Sequence, residues 1–378
     1  MVLDENIMKK GSLEKAKTSA HPGLGELTNR LDDMWIEIGK RKWCPNNCKY
    51  CFSEIREDEP LTREQIINVL SQFKENGGKT LAIPGAGEPF HPKSIDALFS
   101  ILDFCRNNDI QTTVFTEGSL ITDELADKLE DYTNVRILIK CNSLDQKIQD
   151  SLVQRGGYTR IRNDVIQMLI SKGFTNKEDS KSRIGIVTSI MTENFEEIAD
   201  LLRFARNNGL IFDCDTIIDR GKGKECGLKL SETKIKNAIE KLQKIDNVEF
   251  NRKWEITSTY IGSPPCTRFN RHVYIRQNGT VHPCVGSPGV ILGNIKEKPL
   301  VDIWNSKVMK IIRAHKYIGG CTTCKNYQEK KCFSCLGRRA PNLTTEKILK
   351  FWAVPLESTC FNNRSGNNCG KKVMKLKI

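Results

Sequence analysis

The chain has 378 residues, of which 38% are hydrophobic and 28% charged, and its formal net charge is +13, from 59 basic and 46 acidic side chains. That length exceeds one ordinary hydrophobic core, so two domains are expected. No apolar run approaches the roughly 18 residues of a membrane span, and the start, Met1-Val-Leu-Asp-Glu-Asn, lacks the basic-then-apolar order of a secretory signal. Residues 1–34 are polar and read as an irregular N-terminal extension with one short helix around Ser12–Lys17. From Trp35 short β-branched runs alternate with longer amphipathic stretches, the pattern of βα units. The runs predict strands at Met34–Ile38, Lys79–Pro84, Gln111–Phe115, Val135–Lys140, Ile184–Ile190 and Ile211–Ile217. Helices are predicted at Thr62–Asn76, Lys93–Asn107, Thr122–Tyr132, Asp145–Val153, Ile161–Lys172, Asn194–Asn208 and Ser231–Ile245. Thr62 with Gln65, and Asn194 with Glu197, have the spacing of capping pairs, and Gly173 and Gly209 follow predicted helix ends.

Six such repeats imply an α/β fold with a parallel sheet, curled by right-handed crossovers into a partial (β/α)6, TIM-like barrel over residues 35–246. Functional groups of such a barrel sit in loops at the C-terminal ends of its strands. Residues 247–378 are poor in periodicity and rich in Cys, Gly, Pro and Asn. They read as a smaller, irregular, Cys-rich second domain, docked on the barrel without a long linker.

Fifteen cysteines without an export signal point to metal ligands in a reducing, cytoplasmic setting rather than to disulfides. Three of them stand in Cys44-Pro-Asn-Asn-Cys48-Lys-Tyr-Cys51, in the loop after the first predicted strand. Three thiolates hold three irons of a [4Fe–4S] cube, a cluster whose sites otherwise take four cysteines. The fourth iron is left open for chemistry. Structural zinc wants four tetrahedral ligands, and the next candidates here are the distant His91 and Cys105.

The spacing, with Tyr50 before the last cysteine, resembles the signature of the radical S-adenosylmethionine (SAM) superfamily. The resemblance implies that the open iron is chelated by the amino and carboxylate groups of SAM. It also implies reductive cleavage to a 5′-deoxyadenosyl radical, which abstracts a substrate hydrogen. Pro84-Gly-Ala-Gly87-Glu88-Pro89 is similar to the superfamily's Gly-Gly-Glu-Pro motif at the SAM amino group, with Ala86 replacing its first glycine. Thr116-Glu117-Gly118 resembles its Thr-Asn-Gly, with Glu117 in place of Asn. Ser143 matches the serine after strand four, and Arg155 is a guanidinium suited to the SAM carboxylate. Apart from the resemblance, Asn142-Ser143 reads as a helix cap and Arg155 as a surface charge.

In the second domain, Cys266-x12-Gly279-x4-Cys284 precedes Cys321-x2-Cys324-x7-Cys332-x2-Cys335, then Cys360 and Cys369. This resembles the SPASM extension, which carries two auxiliary iron–sulfur clusters, [4Fe–4S] in type. The resemblance assigns Cys266, Cys284 and Cys335 to the first cluster, with Cys369 as a candidate fourth ligand. It assigns Cys321, Cys324, Cys332 and Cys360 to the second. The fourth ligand of the first cluster stays open: either Cys369 supplies it, or that iron is left free to contact substrate. The middle gaps depart from the commoner x5 and x3. Cys-x2-Cys pairs are standard zinc ligands, and these eight cysteines would also suffice for two zinc sites. Metal-bound thiolates would lower the net charge, and the basic excess is scattered apart from Lys371–Lys377. It suggests no more than an acidic partner such as a peptide or nucleotide.

Cys105 and Cys141 read as small buried apolar residues. Cys214 and Cys226 flank the end of the sixth strand, facing the expected cavity, where either could donate a hydrogen atom, Cys226 being the candidate donor, and Asp213, Asp215 and Asp219 are candidate bases. His91 and His282 read as surface or turn residues. By resemblance the substrate is a ribosomal peptide or a protein side chain, and the outcome a crosslink, oxidation or epimerisation. The implied partners are a flavodoxin- or ferredoxin-type electron donor and a separate leader-peptide-binding protein. Only 43 residues precede Cys44, fewer than the leader-recognition domain of many peptide maturases needs, which counts against a standard peptide maturase and towards a smaller substrate. The alternatives are a small-molecule substrate (a sugar, aminocyclitol or nucleotide) and a non-catalytic, cluster- or zinc-braced binding protein.

Overall fold

Six short segments with apolar or β-branched residues at alternate positions form six parallel strands: β1 (Asp33–Ile36), β2 (Thr80–Ile83), β3 (Gln111–Thr116), β4 (Val135–Lys140), β5 (Ile184–Ile190) and β6 (Ile211–Thr216). The computed structural model describes residues 30–176, 178, 181–254, 267–313 and 344–350. The predicted helix near Ser12–Lys17 and Cys266, Cys321, Cys324, Cys332, Cys335, Cys360 and Cys369 lie outside those residues. Between and after the strands run α1 (Arg63–Glu75), α2 (Ile95–Asn107), α3 (Asp123–Glu130), α4 (Gln146–Val153), α5 (Tyr158–Ser171), α6 (Ile198–Asn207) and α7 (Glu232–Glu249). Thr62 and Gln65 form the reciprocal capping pair at the head of α1.

Two helices begin elsewhere than predicted. α5 starts three residues early, after Gly157 in the left-handed region at φ +74°, and Tyr158 at its head is fully buried. α6 starts four residues late because its expected cap is spent on the sheet. Asn194 accepts from Met191 N at 2.8 Å and donates to Asn142 O and Ser189 O. Glu197 accepts from Ser143 Oγ at 2.6 Å and Leu144 N at 2.6 Å.

The parallel sheet does not end with the barrel. β7 (His272–Ile275) pairs with the free side of β1 in parallel, from Asp33–His272 to Ile36–Ile275. β8 (Thr280–His282) and β9 (Gly293–Asn294) continue it antiparallel. The order is β6-β5-β4-β3-β2-β1-β7-β8-β9. The second region is therefore joined to the first by strand pairing, not docking alone. Its described part is also more regular than expected, adding α8 (Leu300–Trp304), α9 (Lys307–Arg313) and α10 (Thr345–Lys350).

The sheet's two faces differ. Met34, Ile36, Leu81, Ile83, Val114, Ile137 and Ile139 pack against the helices in the main core, with Val69, Leu70 and Phe73 of α1. Truncating one such leucine to alanine costs about 2–5 kcal/mol. By strand alternation, Trp35, Phe115, Lys140, Ser189, Asp213 and Asp215 share the opposite, inner face. There the rings of Trp35 and Phe115 lie 5.6 Å apart, and Lys140 Nζ donates to Ser189 Oγ at 2.7 Å. Among the described residues no helix is long and apolar enough to cross a membrane.

Candidate active site

Beyond β1 the chain passes a short 3-10 turn, Arg41–Trp43, and enters the three-cysteine loop. The loop is fixed from several sides. Asn47 N and Lys49 N donate to Val153 O and Leu152 O at the end of α4, at 2.9 and 3.0 Å. Arg41 donates to Asn46 O at 3.0 Å and to Asn47 Oδ1 at 3.1 Å. Gly223 N donates to Cys51 O at 3.2 Å. That last contact belongs to a turn after β6, Gly221–Lys224, which the sequence reading did not single out. Gly221 has φ +55°, and a Cβ there would lie 2.7 Å from Cys51 O and 2.8 Å from Phe52 O. Only glycine fits so close a backbone approach. The legible signal was the Gly-Lys-Gly-Lys run directly after a strand.

Cys44, Cys48 and Cys51 are half-buried free thiols. The Cys48 thiol is pushed up to about 11 by burial and then by its neighbour Cys51. Cys44 is pushed higher still, by burial and then by Glu88 and Cys48. Three thiolates so close to one another and to acidic groups need a cationic centre to be stable, and soft sulfur donors suit an iron–sulfur cluster. In donor chemistry the loop fits that group. Among the described residues no three His, Cys, Asp or Glu side chains stand around a single metal ion, whereas in a cube each cysteine holds a different iron.

The predicted SAM residues gather beside this loop. Gly87, at φ +92°, brings the β2 loop so near the β1 loop that a Cβ would lie 2.6 Å from Lys40 O. Glu88, before Pro89, is 1% exposed. Its carboxylate accepts from Thr116 Oγ1 at 2.6 Å, Glu117 N at 2.9 Å and Phe90 N at 3.1 Å. It thus locks the β2 loop to the β3 loop. Three donors favour its ionised form, yet burial and the charge of Glu117 prevail and raise it to about 8. Arg155 stands on the same side, with NH1 donating to Ser119 Oγ at 2.8 Å and to Asn46 Oδ1 at 3.4 Å. Ser143 is fully buried, and its hydroxyl is committed to Glu197 while accepting from Asp145 N at 3.0 Å. In this conformation it organises the β4 loop.

Lys140 reaches the site from the inner face, 5.4 Å from the centre of the Tyr50 ring. Burial holds its ammonium below the usual lysine range, against the charges of Cys48, Asp215 and Asp213. Asp219 is instead paired with Lys229 at 2.6 Å. Cys226 donates to Gly223 O at 3.5 Å and packs in a small apolar group with Tyr50, Met191 and Cys48.

Two expectations need correction. Cys214 lies in the main core beneath the helices, where Arg206 and Asp246 act on it, rather than on the cavity face. His282 is 1% exposed, not a surface residue; its Nδ1 bonds Val290 O at 2.8 Å. His91 stacks on Trp43 with centroids 6.0 Å apart. Cys105 and Cys141 are fully buried, as expected.

Comparison with known proteins adds the following. The family model for the radical SAM superfamily matches residues 41–205, and that for the SPASM iron–sulfur cluster-binding domain matches residues 266–336. A probable GTP 3′,8-cyclase of Methanocaldococcus jannaschii is 21% identical over 66% of this chain and 84% of its own. A tungsten-containing aldehyde ferredoxin oxidoreductase cofactor-modifying protein of Pyrococcus furiosus is 23% identical over 84% of this chain and 91% of its own. Among solved structures, SuiB of Streptococcus suis bound to S-adenosylmethionine superposes with a TM-score of 0.64 at 20% identity. The superposition covers 91% of this chain and 82% of SuiB. The protein anSMEcpe with bound AdoMet and a peptide gives 0.59 at 15% identity, covering 82% of this chain and 90% of that one.

Proposed function

This chain is an enzyme of the radical SAM superfamily with an iron–sulfur-binding SPASM domain, and from that premise we propose that it removes a hydrogen atom from a peptide or protein side chain, leaving a crosslink, an oxidised position or an epimerised centre. A [4Fe–4S] cluster on Cys44, Cys48 and Cys51, with SAM bound, supplies the 5′-deoxyadenosyl radical for that abstraction. The chain's own residues hold and orient. The backbone of Gly85–Pro89 approaches the cysteine loop closely enough to meet the SAM amino group, with Glu88 and Thr116 fixing that turn. Arg155 meets the carboxylate, and Ser143 supports the β4 loop. Cys226, in contact distance of the same apolar group as Cys48, is a hydrogen donor in the epimerisation outcome. Cys266, Cys284 and Cys335, with Cys369, and the set Cys321, Cys324, Cys332 and Cys360 hold two auxiliary clusters. These would offer the electron path that an overall oxidation needs after the hydrogen is removed; a flavodoxin- or ferredoxin-type partner would be the electron donor for SAM cleavage, and a separate protein would present the peptide leader.

The observation that supports a peptide substrate is the likeness, across nine-tenths of this chain, to SuiB, a structure of which holds the precursor peptide SuiA. One observation favours a small molecule: Lys140, Ser189, Asp213 and Asp215 form a compact polar set on the inner face, and one relative is named a GTP cyclase. The test is anaerobic reconstitution with dithionite and SAM, scored by 5′-deoxyadenosine in the presence of peptides, nucleotides, sugars or aminocyclitols. Peptides should stimulate the yield. Stimulation by nucleotides or sugars alone would transfer the assignment to the small-molecule reading. About twelve irons per chain would accompany three cubes, whereas about two zincs would indicate a structural role.

A further inference from the structure

Asn46 stands between Cys44 and Cys48, and each end of its amide is held by a different partner. Nδ2 donates to Glu117 Oε2 at 3.2 Å, and Oδ1 accepts from Arg155 NH1 at 3.4 Å. Ser119 closes the ring. Its hydroxyl donates to Glu117 Oε1 at 2.5 Å and accepts from Arg155 NH1 at 2.8 Å, while its N–H donates to Glu117 Oε1 at 3.1 Å. Glu117 Oε2 lies 3.7 Å from Arg155 NH1. The Glu117 backbone is held as well, its N–H on Glu88 Oε2 at 2.9 Å and its carbonyl on Tyr158 OH at 2.5 Å.

The ring treats the two charged groups unequally. The Glu117 side chain is 7% exposed and both of its oxygens accept hydrogen bonds within the ring, so it faces the protein rather than a ligand. The Arg155 side chain is 29% exposed, and only NH1 is engaged by the described residues. Its NH2–Nε edge remains as a two-donor fork, the geometry that pairs with a carboxylate. Glu117, 3.7 Å from NH1, supplies an opposite charge that holds this partly exposed guanidinium in place. An amide at position 117 could not.

We propose that Glu117 is a positioning residue for SAM: by ordering Asn46, Ser119 and the NH1 nitrogen of Arg155, it aims the open edge of that guanidinium at the SAM carboxylate and ties this fork to the cysteine loop. The proposal rests on the functional reading above. Glu117 touches neither SAM nor iron; it acts through Arg155.

The test is a double-mutant cycle on anaerobically reconstituted full-length protein, with Glu117→Gln, Arg155→Gln and the pair, read as equilibrium SAM affinity and iron content. Glu117→Gln should keep its iron and bind SAM roughly tenfold more weakly, while adding little in the Arg155→Gln background, because coupled residues are not additive. Unchanged or tighter SAM binding in Glu117→Gln overturns the proposal. So does the same loss with and without Arg155. Should Glu117→Gln lose iron, Glu117→Asn replaces it in the cycle. Iron loss in both variants, with unaltered SAM affinity per remaining cluster, assigns Glu117 a structural role and overturns the proposal. A wild-type protein that binds no SAM removes the functional reading and this proposal together, whereas a neutral Glu117→Gln removes the proposal alone.

Discussion

The two ends of β1 carry charged clusters of similar make-up but different closure. At the N-terminal end each acid has its own base across the β1–β7 seam: Asp32 with Arg271, and Asp33 with His272 at 2.7 Å and Arg268 at 3.6 Å. At the C-terminal end Glu37 and Glu54 are shared by Arg220, Arg276 and Arg56. There the buried atoms Arg220 Nε, Arg276 Nε and His282 Nε2 have no hydrogen-bond partner among the described residues. Arg276 is lowered to about 10 by burial and by Arg220, and burial holds Glu37 above the usual carboxylate range. Unpaired buried polar groups are costly and rare. His272 Nε2 at the N-terminal end is likewise without a hydrogen-bond partner among the described residues, but only the C-terminal end is the face where parallel barrels place their chemistry, while the opposite face serves stability. One strand thus divides the two tasks between its ends.

Mutations should separate those ends. Cys44→Ser, Cys48→Ser or Cys51→Ser should abolish SAM cleavage and remove about four irons per chain, with thermal unfolding of the apo-protein unchanged; a large loss of apo stability would break the division. Gly221→Ala comes next, since it forces a Cβ against Cys51 O in a left-handed conformation. It should cost about 1–3 kcal/mol locally and release iron during anaerobic gel filtration while far-UV circular dichroism stays constant.

The seam should respond to acid. Burial, then the charge of Arg268, lowers His272 to about 4 from the 6.5 of an exposed ring. The unfolded chain therefore binds a proton that the folded chain refuses between those values, and stability falls as pH falls from 6.5 to 4. The loss should be on the order of 2–3 kcal/mol, read as a lower urea midpoint, and His272→Gln should flatten that slope. The smallest effect belongs to the half-exposed pair Lys229–Asp219. Lys229→Ala should leave both SAM cleavage and the unfolding midpoint unchanged, as exposed pairs contribute little.

Local pattern made much of this molecule readable. β1 to β6 follow from alternating apolar or β-branched residues, and Thr62 with Gln65 marks the head of α1. The start of α6 misled because Asn194 and Glu197 have cap chemistry but bond to the β4 and β5 loops, a choice settled by tertiary contacts. β7 could not be foreseen, since Asp33 and His272 are 239 residues apart and pair only in the folded sheet. The cysteine triad, Glu88, Thr116 and Arg155 were readable from their motifs and meet in one place. The ring through Glu117 was not, because Asn46 lies 71 residues away in sequence and meets Glu117 and Arg155 only in the folded chain. Burial of His282 and the outward turn of Cys214 depend on which sheet face packs against helices. A short strand of mixed polarity does not reveal that.

The account stands on the three-cysteine loop holding a cluster that meets SAM directly. Electron paramagnetic resonance of the dithionite-reduced protein, before and after SAM is added, tests this most directly. The predicted result is a [4Fe–4S]+ signal whose g values move on SAM addition, with 5′-deoxyadenosine formed in the same tube and both responses lost in Cys48→Ser. A wild-type signal that ignores SAM, with no 5′-deoxyadenosine produced, would contradict it.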